Sequence, residues 1–321
     1  MRDQFDRTID YVRLSLTDRC QLKCIYCVPE EGLTCLSQSE RLTRAELIEI
    51  VGAFAKIGVR KIKLTGGEPL LFPKLADLIA QMKQIEPIEK VTLTTNGLLL
   101  PKQLEKLVAA GLDGINISLD TMNEENYRML TRNGTLAETL KGLDVALKAK
   151  IPLKINCVLL HTTTYADIEG LLDLAKEERV HVRFIEWMPI GSLNPLPAIT
   201  ETDILAQLKG KGYNVTPWDK PLGNGPARYY EVGGFKGKIG FISAVSQHFC
   251  DSCNRVRVTS DGKLKTCLAF NHGADLKDAM EKNRLLETIV DTLKKKPKRH
   301  LFNTGVDVRG KEEKNMIQIG G

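Results

Sequence analysis

Cys20, Cys24 and Cys27 stand together in the run Cys-Gln-Leu-Lys-Cys-Ile-Tyr-Cys. The C-x3-C-x2-C spacing lets three thiolates hold an iron–sulfur cluster and leaves one iron without a protein ligand. An iron with a vacant position can bind a substrate or cofactor, so this loop reads as a reactive centre. Plant-type 2Fe–2S ferredoxins use C-x4-C-x2-C plus a distant fourth cysteine. The first gap here is one residue shorter, and no obvious fourth partner follows. Structural zinc prefers four ligands, and no histidine lies near the loop.

A second group is Cys250-Asp-Ser-Cys253, with Cys267 thirteen residues further on. With His272 or His248 these cysteines would complete a Cys3His zinc site, so spacing alone leaves zinc and iron–sulfur both open. The adjoining Asn254-Arg255-Val256-Arg257 adds a different signal. Arginines two apart on a strand point to one face, which is an arrangement for binding an anion beside the cysteines. Of the remaining cysteines, Cys157 lies in an apolar run and reads as core, and Cys35 has no assignable role.

Thr65-Gly66-Gly67-Glu68-Pro69 taken alone is a tight strand-to-helix turn. Its carbonyls and Glu68 could accept bonds from an ammonium group. Arg13 and Lys63 taken singly would be surface charges, and Thr94 a core-facing strand residue. Lys154 falls inside a strand run and needs a partner or a cavity.

The elements that must position these residues are visible as alternating apolar runs and amphipathic stretches. Strands are predicted over 11–16, 61–65, 91–95, 114–118, 153–160 and 182–186, and helices over 44–56, 74–85, 102–109, 135–148 and 165–178. Thr43 and Glu46 form a capping box, and Gly58 and Gly111 close helices. Repeated strand–helix units imply a parallel sheet with right-handed crossovers, a barrel or part of one. Chemistry in such folds collects where strands end. The cysteine loop, Gly66-Gly67, Asn96, Ser118 and Met188 all follow strands. The Pro-, Gly- and Asn-rich segment 189–226 marks a change of architecture, with a short helix near 202–209. Strands over 228–232, 237–242, 255–259 and 263–266 and helices over 276–282 and 285–295 follow. The terminal Gly320-Gly321 is expected to be a mobile tail.

The chain has 321 residues, 42% of them hydrophobic, enough for a substantial core. No apolar run reaches transmembrane length, and the charged first residues lack the apolar stretch of a secretory signal. The expected location is therefore the cytoplasm, with no membrane partner. Reducing conditions there argue against disulfides for the eight cysteines. The net charge of +6 is too small to argue for nucleic acid and permits an anionic small substrate. The run Lys294-Lys295-Lys296-Pro297-Lys298-Arg299 reads as a solvated helix end and loop.

The first cysteine motif, with Tyr26 before its last cysteine, resembles the radical S-adenosylmethionine (SAM) enzymes, in which three cysteines hold a 4Fe–4S cluster and SAM chelates the fourth iron. Arg13 to Cys20, Lys63-Leu-Thr-Gly-Gly-Glu, Thr94-Thr-Asn-Gly, Phe184-Ile-Glu-Trp-Met-Pro-Ile-Gly, the second cysteine group and the terminal Gly-Gly together resemble the GTP 3′,8-cyclase family of molybdenum-cofactor biosynthesis. The likeness covers nearly the whole chain. It implies an α/β fold, an incomplete parallel (β/α)6 TIM-like barrel over residues 1–220. A small C-terminal α+β cluster domain over 221–321 would close its open side. It also implies two 4Fe–4S clusters, on Cys20, Cys24 and Cys27 and on Cys250, Cys253 and Cys267, facing each other across a cavity. SAM contacts would come from Tyr26, Gly67, Ser118 and Met188. GTP contacts would come from Arg13, Lys63, Thr94, Lys154, Arg255, Val256 and Arg257, with Arg13, Arg255 and Arg257 acting in catalysis. The implied partners are a reductant protein of flavodoxin or ferredoxin type and cyclic pyranopterin monophosphate synthase as receiver of the product, with a homodimer possible. The family tail is implied to reach the active site. The competing readings are another radical SAM enzyme with an auxiliary cluster, acting on a peptide or nucleic acid, and a zinc-bearing nucleic-acid-binding protein, drawn from the basic charge and the Cys-x2-Cys pair.

Overall fold

Apolar and polar residues alternate along the strands: Val12 and Leu14 against Tyr11 and Arg13, Ile62 and Leu64 against Lys61 and Lys63, Ile155 and Cys157 against Lys154 and Asn156. Successive strand side chains point to opposite faces. One face of the sheet is therefore apolar and the other carries charge. This departs from the continuous apolar runs of a parallel sheet buried on both sides, and it means that the second face must border a polar space.

The computed structural model describes residues 1–190, 199–300, 302 and 311–321. Its first part runs β1 (Tyr11–Ser15), α1 (Arg44–Lys56), β2 (Lys61–Thr65), α2 (Leu75–Lys83), β3 (Lys90–Thr95), α3 (Leu100–Ala109), β4 (Gly114–Ser118), α4 (Glu124–Thr131), α5 (Leu136–Lys148), β5 (Leu153–Leu159), α6 (Tyr165–Glu177) and β6 (His181–Glu186). The second part runs α7 (Glu201–Gly210), β7 (Val215–Trp218), β8 (Arg228–Val232), β9 (Ile239–Ile242), β10 (Arg255–Val258), β11 (Lys263–Lys265), β12 (Gly273–Asp275), α8 (Leu276–Glu281), α9 (Leu285–Lys294) and α10 (Met316–Ile319). Of the Pro-rich segment 189–226, residues 191–198 lie outside the described residues.

Among the described residues, all strands join one twelve-stranded sheet in the order β12-β11-β10-β1-β2-β3-β4-β5-β6-β9-β8-β7. Neighbours from β10 through β6 to β9 are parallel, and the outer strands on both sides are antiparallel. Parallel neighbours need long crossovers, which the helices between β1 and β6 supply. The outermost strands β12 and β7 do not pair, so the barrel stays open. The C-terminal chain extends both edges of the sheet, with β10 beside β1 and β9 beside β6, and no break in the sheet falls at residue 220.

The apolar face packs against the helices. Leu47, Ile50 and Phe54 of α1, Leu78, Ile79 and Met82 of α2, and Ile168 and Leu171 of α6 are fully buried there. Each such side chain contributes roughly 1.5–3 kcal/mol on burial. Ile289 and Leu293 of α9 enter the same core and so fix the C-terminal part to the barrel. The capping box at Thr43 and Glu46 starts α1 as predicted. Among the described residues no helix is long and apolar enough to cross a membrane.

Candidate active site

The polar face of the sheet lines a cavity of about 1290 Å³. Strand register brings its cations together. Arg257, Arg13 and Lys63 are lateral neighbours on β10, β1 and β2. Thr94, Asn116 and Lys154 form a second row on β3, β4 and β5, and Asn156 on β5 adjoins Arg183 on β6. Arg13, Lys63, Thr94, Lys154, Arg183, Arg255 and Arg257 all line the cavity.

Like charges on adjacent strands repel, and burial in low dielectric penalises them further. Burial drives the Lys63 ammonium well below its usual pKa, and Arg183, Arg13 and Lys154 push it further. Burial, then Arg183 and Lys90, brings Lys154 down to about 7. The Nε atoms of Arg13 and Arg183 are buried with no partner among the described residues. Such a surface is costly unless an anion sits on it.

Main-chain oxygens partly fill that role. Arg13 donates to the Gly321 carbonyl, Arg257 to the Gly320 carbonyl and Lys154 to the Leu222 carbonyl. The tail that glycine content suggested would be mobile is therefore docked against the basic wall. Ile317 and Ile319 of α10 are buried and hold it there.

Cys20, Cys24 and Cys27 line another part of the same cavity. Their loop is pinned to α4 by Lys23 N–H donating to Thr131 at 3.2 Å and Ile25 N–H to Leu130 at 3.0 Å. The N–H groups of Cys27 and Val28 both donate to the Cys24 carbonyl, at 2.9 and 3.0 Å. Tyr26 donates its hydroxyl to Asp120 Oδ2 at 2.7 Å, and Asp120 Oδ1 accepts from Val158 N–H at 2.8 Å. Burial raises the Cys20 thiol to about 11 and the Cys27 thiol to about 12, and lifts Cys24 well above the usual value. Each of the three also raises, or is raised by, another of them. They can ionise together only if a metal supplies the positive charge, so this donor set fits an iron–sulfur cluster.

The glycine turn lies flat on the segment leading into that loop. Gly67 N–H donates to the Thr17 carbonyl at 2.6 Å and Glu68 N–H to the Arg19 carbonyl at 2.8 Å. A Cβ on Gly67 would stand 2.3 Å from the Arg19 oxygen, and one on Gly66 (φ +147°) 2.4 Å from the Thr17 oxygen. Glu68, suggested by sequence as an ammonium acceptor, has another task. Its carboxylate accepts from Leu70 N–H at 3.0 Å, Thr95 Oγ1 at 2.7 Å and Asn96 N–H at 2.8 Å, and so ties the turn to the end of β3. Gly67, Ser118 and Met188 line the cavity with Tyr26.

The second cysteine group is brought together, since the Cys253 and Cys250 charges both bear on Cys267. None of the three is among the residues lining the cavity, whereas Arg255 and Arg257 are. Burial would raise the Cys253 thiol, but Lys296 and Arg255 outweigh it and bring it down to about 7. Lys296 corrects the reading of 294–299 as wholly solvated: it is 2% exposed, while its neighbours Lys294, Lys295, Lys298 and Arg299 are exposed. Val256 differs from its arginine neighbours. Its side chain lies in the hydrophobic core and it does not line the cavity, so only its main chain could meet a ligand. His248, Cys250 and His300 place their ligand atoms within 4.8 Å of one another, whereas His272 belongs to no such group among the described residues. Cys157 is buried in the core, as its apolar context suggested, and Cys35 is exposed.

Arg183 is a cavity residue that sequence reasoning missed, as are Asn116, Asp120 and Asn156. For Arg183 the signal was available: a basic residue at an alternate position of a parallel strand, as with Lys63 and Lys154.

Residues 14–175 match the radical SAM superfamily, and residues 180–302 match the family described as Molybdenum Cofactor Synthesis C. A protein named GTP 3′,8-cyclase from Clostridium perfringens (strain 13 / Type A) is 40% identical over 326 residues, covering 100% of both chains. One of the same name from Syntrophomonas wolfei is 40% identical over 332 residues, again covering 100% of both. The fold is similar to that of Streptococcus suis SuiB bound to precursor peptide SuiA, with a TM-score of 0.63, 14% identity and coverage of 97% of this chain and 76% of that one. With full-length identity at this level, and with a three-cysteine loop and a basic wall on one cavity, the chain belongs to the radical SAM superfamily and, within it, to the GTP 3′,8-cyclase family.

Proposed function

We propose that this chain converts GTP to (8S)-3′,8-cyclo-7,8-dihydroguanosine 5′-triphosphate, joining ribose C3′ to guanine C8 within one nucleotide. The observation that carries the reading is the row of buried, partly unpartnered cations on the cavity face that also borders the three-cysteine loop. A 4Fe–4S cluster with SAM, when bound, supplies the carbon-centred radical that takes hydrogen from the ribose.

The chain's own residues do the rest. Cys20, Cys24 and Cys27 hold the first cluster, and Asp120 fixes the Tyr26 ring beside it. The backbone of the Gly66-Gly67 turn, Ser118 and Met188 form the remaining SAM contacts. Arg13, Lys63, Lys154, Arg183 and Arg257 take the triphosphate; arginine offers paired donors and lysine a point charge. Thr94 and Arg255 add contacts to the nucleotide, and the main chain at Val256 is the part of that residue within reach. Holding both reacting carbons in one geometry gives the proximity effect that ring closure needs. Cys250, Cys253 and Cys267 would hold a second 4Fe–4S cluster, which when bound would supply an iron able to take the purine. The reductant is a flavodoxin- or ferredoxin-type protein, and the product passes to cyclic pyranopterin monophosphate synthase.

One observation favours a second reading of the auxiliary site. The grouping of His248, Cys250 and His300 suits a single zinc ion. Anaerobically prepared protein is expected to carry the iron and sulfide of two clusters and to form the cyclic nucleotide from GTP with SAM and reductant. Stoichiometric zinc with half that iron would favour the zinc reading, and absence of GTP conversion would refute the proposed activity.

A further inference from the structure

Lys296 lies at the centre of a basic run yet is buried. Its ammonium donates to the Arg255 carbonyl at 2.9 Å and to the Thr266 carbonyl at 2.5 Å. Arg255 stands two residues after Cys253, and Thr266 immediately precedes Cys267. One buried group therefore clamps the two segments that carry these cysteines.

A second buried cation holds the loop of Cys250. Arg7 donates through Nη1 to the Cys250 carbonyl at 2.9 Å and the Lys298 carbonyl at 3.0 Å, and through Nη2 to the Pro297 carbonyl at 2.8 Å. The two cations differ in one respect. Arg7 is neutralised by Asp3, whose Oδ2 accepts from Nε at 2.7 Å. Lys296 has its two carbonyls and no carboxylate among the described residues. A buried ammonium without a counter-charge is costly. The groups that can supply one are the Cys253 and Cys267 sulfurs, which stand within two residues of its carbonyl partners Arg255 and Thr266. Metal-bound thiolates stay ionised, so the ammonium gains its counter-charges when the site is loaded.

We infer that Lys296 is a positioning residue of the second cysteine site: it fixes the Cys253 and Cys267 segments relative to each other and supplies the charge that offsets their thiolates. This rests on the reading of Cys250, Cys253 and Cys267 as cluster ligands. A nearby positive charge favours the more negative, reduced state of a cluster, so it raises the reduction potential.

The test compares K296Q and K296M with wild type as anaerobic holoenzymes, by iron and sulfide content and by electron paramagnetic resonance during redox titration. K296Q keeps N–H donors for the carbonyls but loses the charge; K296M loses both. K296Q should retain wild-type iron with the auxiliary potential shifted to more negative values, and SAM cleavage without GTP should be unchanged. K296M should in addition lose auxiliary iron. An unshifted auxiliary potential in K296Q holding both clusters would overturn the role of Lys296 alone. Wild-type protein with the iron of one cluster would instead overturn the two-cluster reading on which the inference stands.

Discussion

The N-terminal loop buries Cys20, Cys24 and Cys27 beside Glu68 and Asp120, whose charges raise the thiols further. The C-terminal loop sets Cys253 beside Lys296 and Arg255, which bring its thiol down to about 7 despite burial. Cys253 thus sits beside cations where the N-terminal thiols sit beside carboxylates, and at Cys267, which burial raises, Lys296 again acts in the lowering direction. The difference matches the ligands proposed for the two ends. SAM brings a sulfonium and an ammonium and suits a pocket without cations. GTP brings several negative charges and suits the basic wall that continues from the second loop into Arg13, Lys63, Lys154 and Arg183.

The largest effects should come from removing a cysteine on either side. C24S and C253S should both lower cyclisation to background and remove half the iron. They should part on SAM cleavage, measured as 5′-deoxyadenosine formed without GTP: C24S loses it and C253S keeps it. If C253S cyclised GTP at the wild-type rate, the second loop would have another task.

Removing a wall charge should act on one ligand only. R257A or R13A deletes a charged contact worth about 1.5–3 kcal/mol, or roughly 10- to 150-fold in GTP affinity. SAM affinity should change by less than about twofold. Titration calorimetry of both ligands against each variant checks this, and equal losses would erase the contrast between the two ends.

A gentler probe is pH. Lys154 has its pKa brought down to about 7, by burial first and then by Arg183 and Lys90. It is charged below that value and neutral above it, so GTP binding should weaken as pH rises from 6 to 8. K154R stays charged over this range and should lose that part of the slope, which also subtracts the titration of the nucleotide itself. The smallest effect on binding is expected at Val256, whose side chain is in the core. V256A should cost about 2 kcal/mol of stability, seen as a thermal midpoint lower by several degrees, with GTP affinity within twofold of wild type.

Much of this arrangement was legible in the sequence. The strands from 11 to 186 carry β-branched runs bounded by caps and turns, so their number and direction could be read directly. The cysteine loop could be read because few other chemistries need three thiols so close. What escaped was set by tertiary contact. β12 has only Gly273, Ala274 and Asp275 and no alternation to betray a strand; its pairing with β11 makes it one. β7 contains a proline and pairs only at the sheet edge with β8. α4 starts at the Asn123 cap but is short and polar overall, with two acidic residues in its first turn and only Tyr127, Leu130 and Thr131 buried. Lys296 looked solvated because its neighbours are; the carbonyls that bury it come from segments about 30 and 41 positions away in the chain. The tail looked floppy because glycine is permissive, whereas its carbonyls answer arginines 63 and 308 positions away.

The claim on which the rest depends is that the N-terminal loop and the basic wall open on one cavity, so that chemistry begun at that loop reaches the ribose of a GTP held by the wall. GTP carrying deuterium at C3′ tests it most directly, by mass analysis of the 5′-deoxyadenosine formed with SAM and reductant under anaerobic conditions. The account expects deuterium in the 5′-deoxyadenosine, formed in step with the cyclic nucleotide. SAM cleavage that leaves the deuterium on GTP would contradict it.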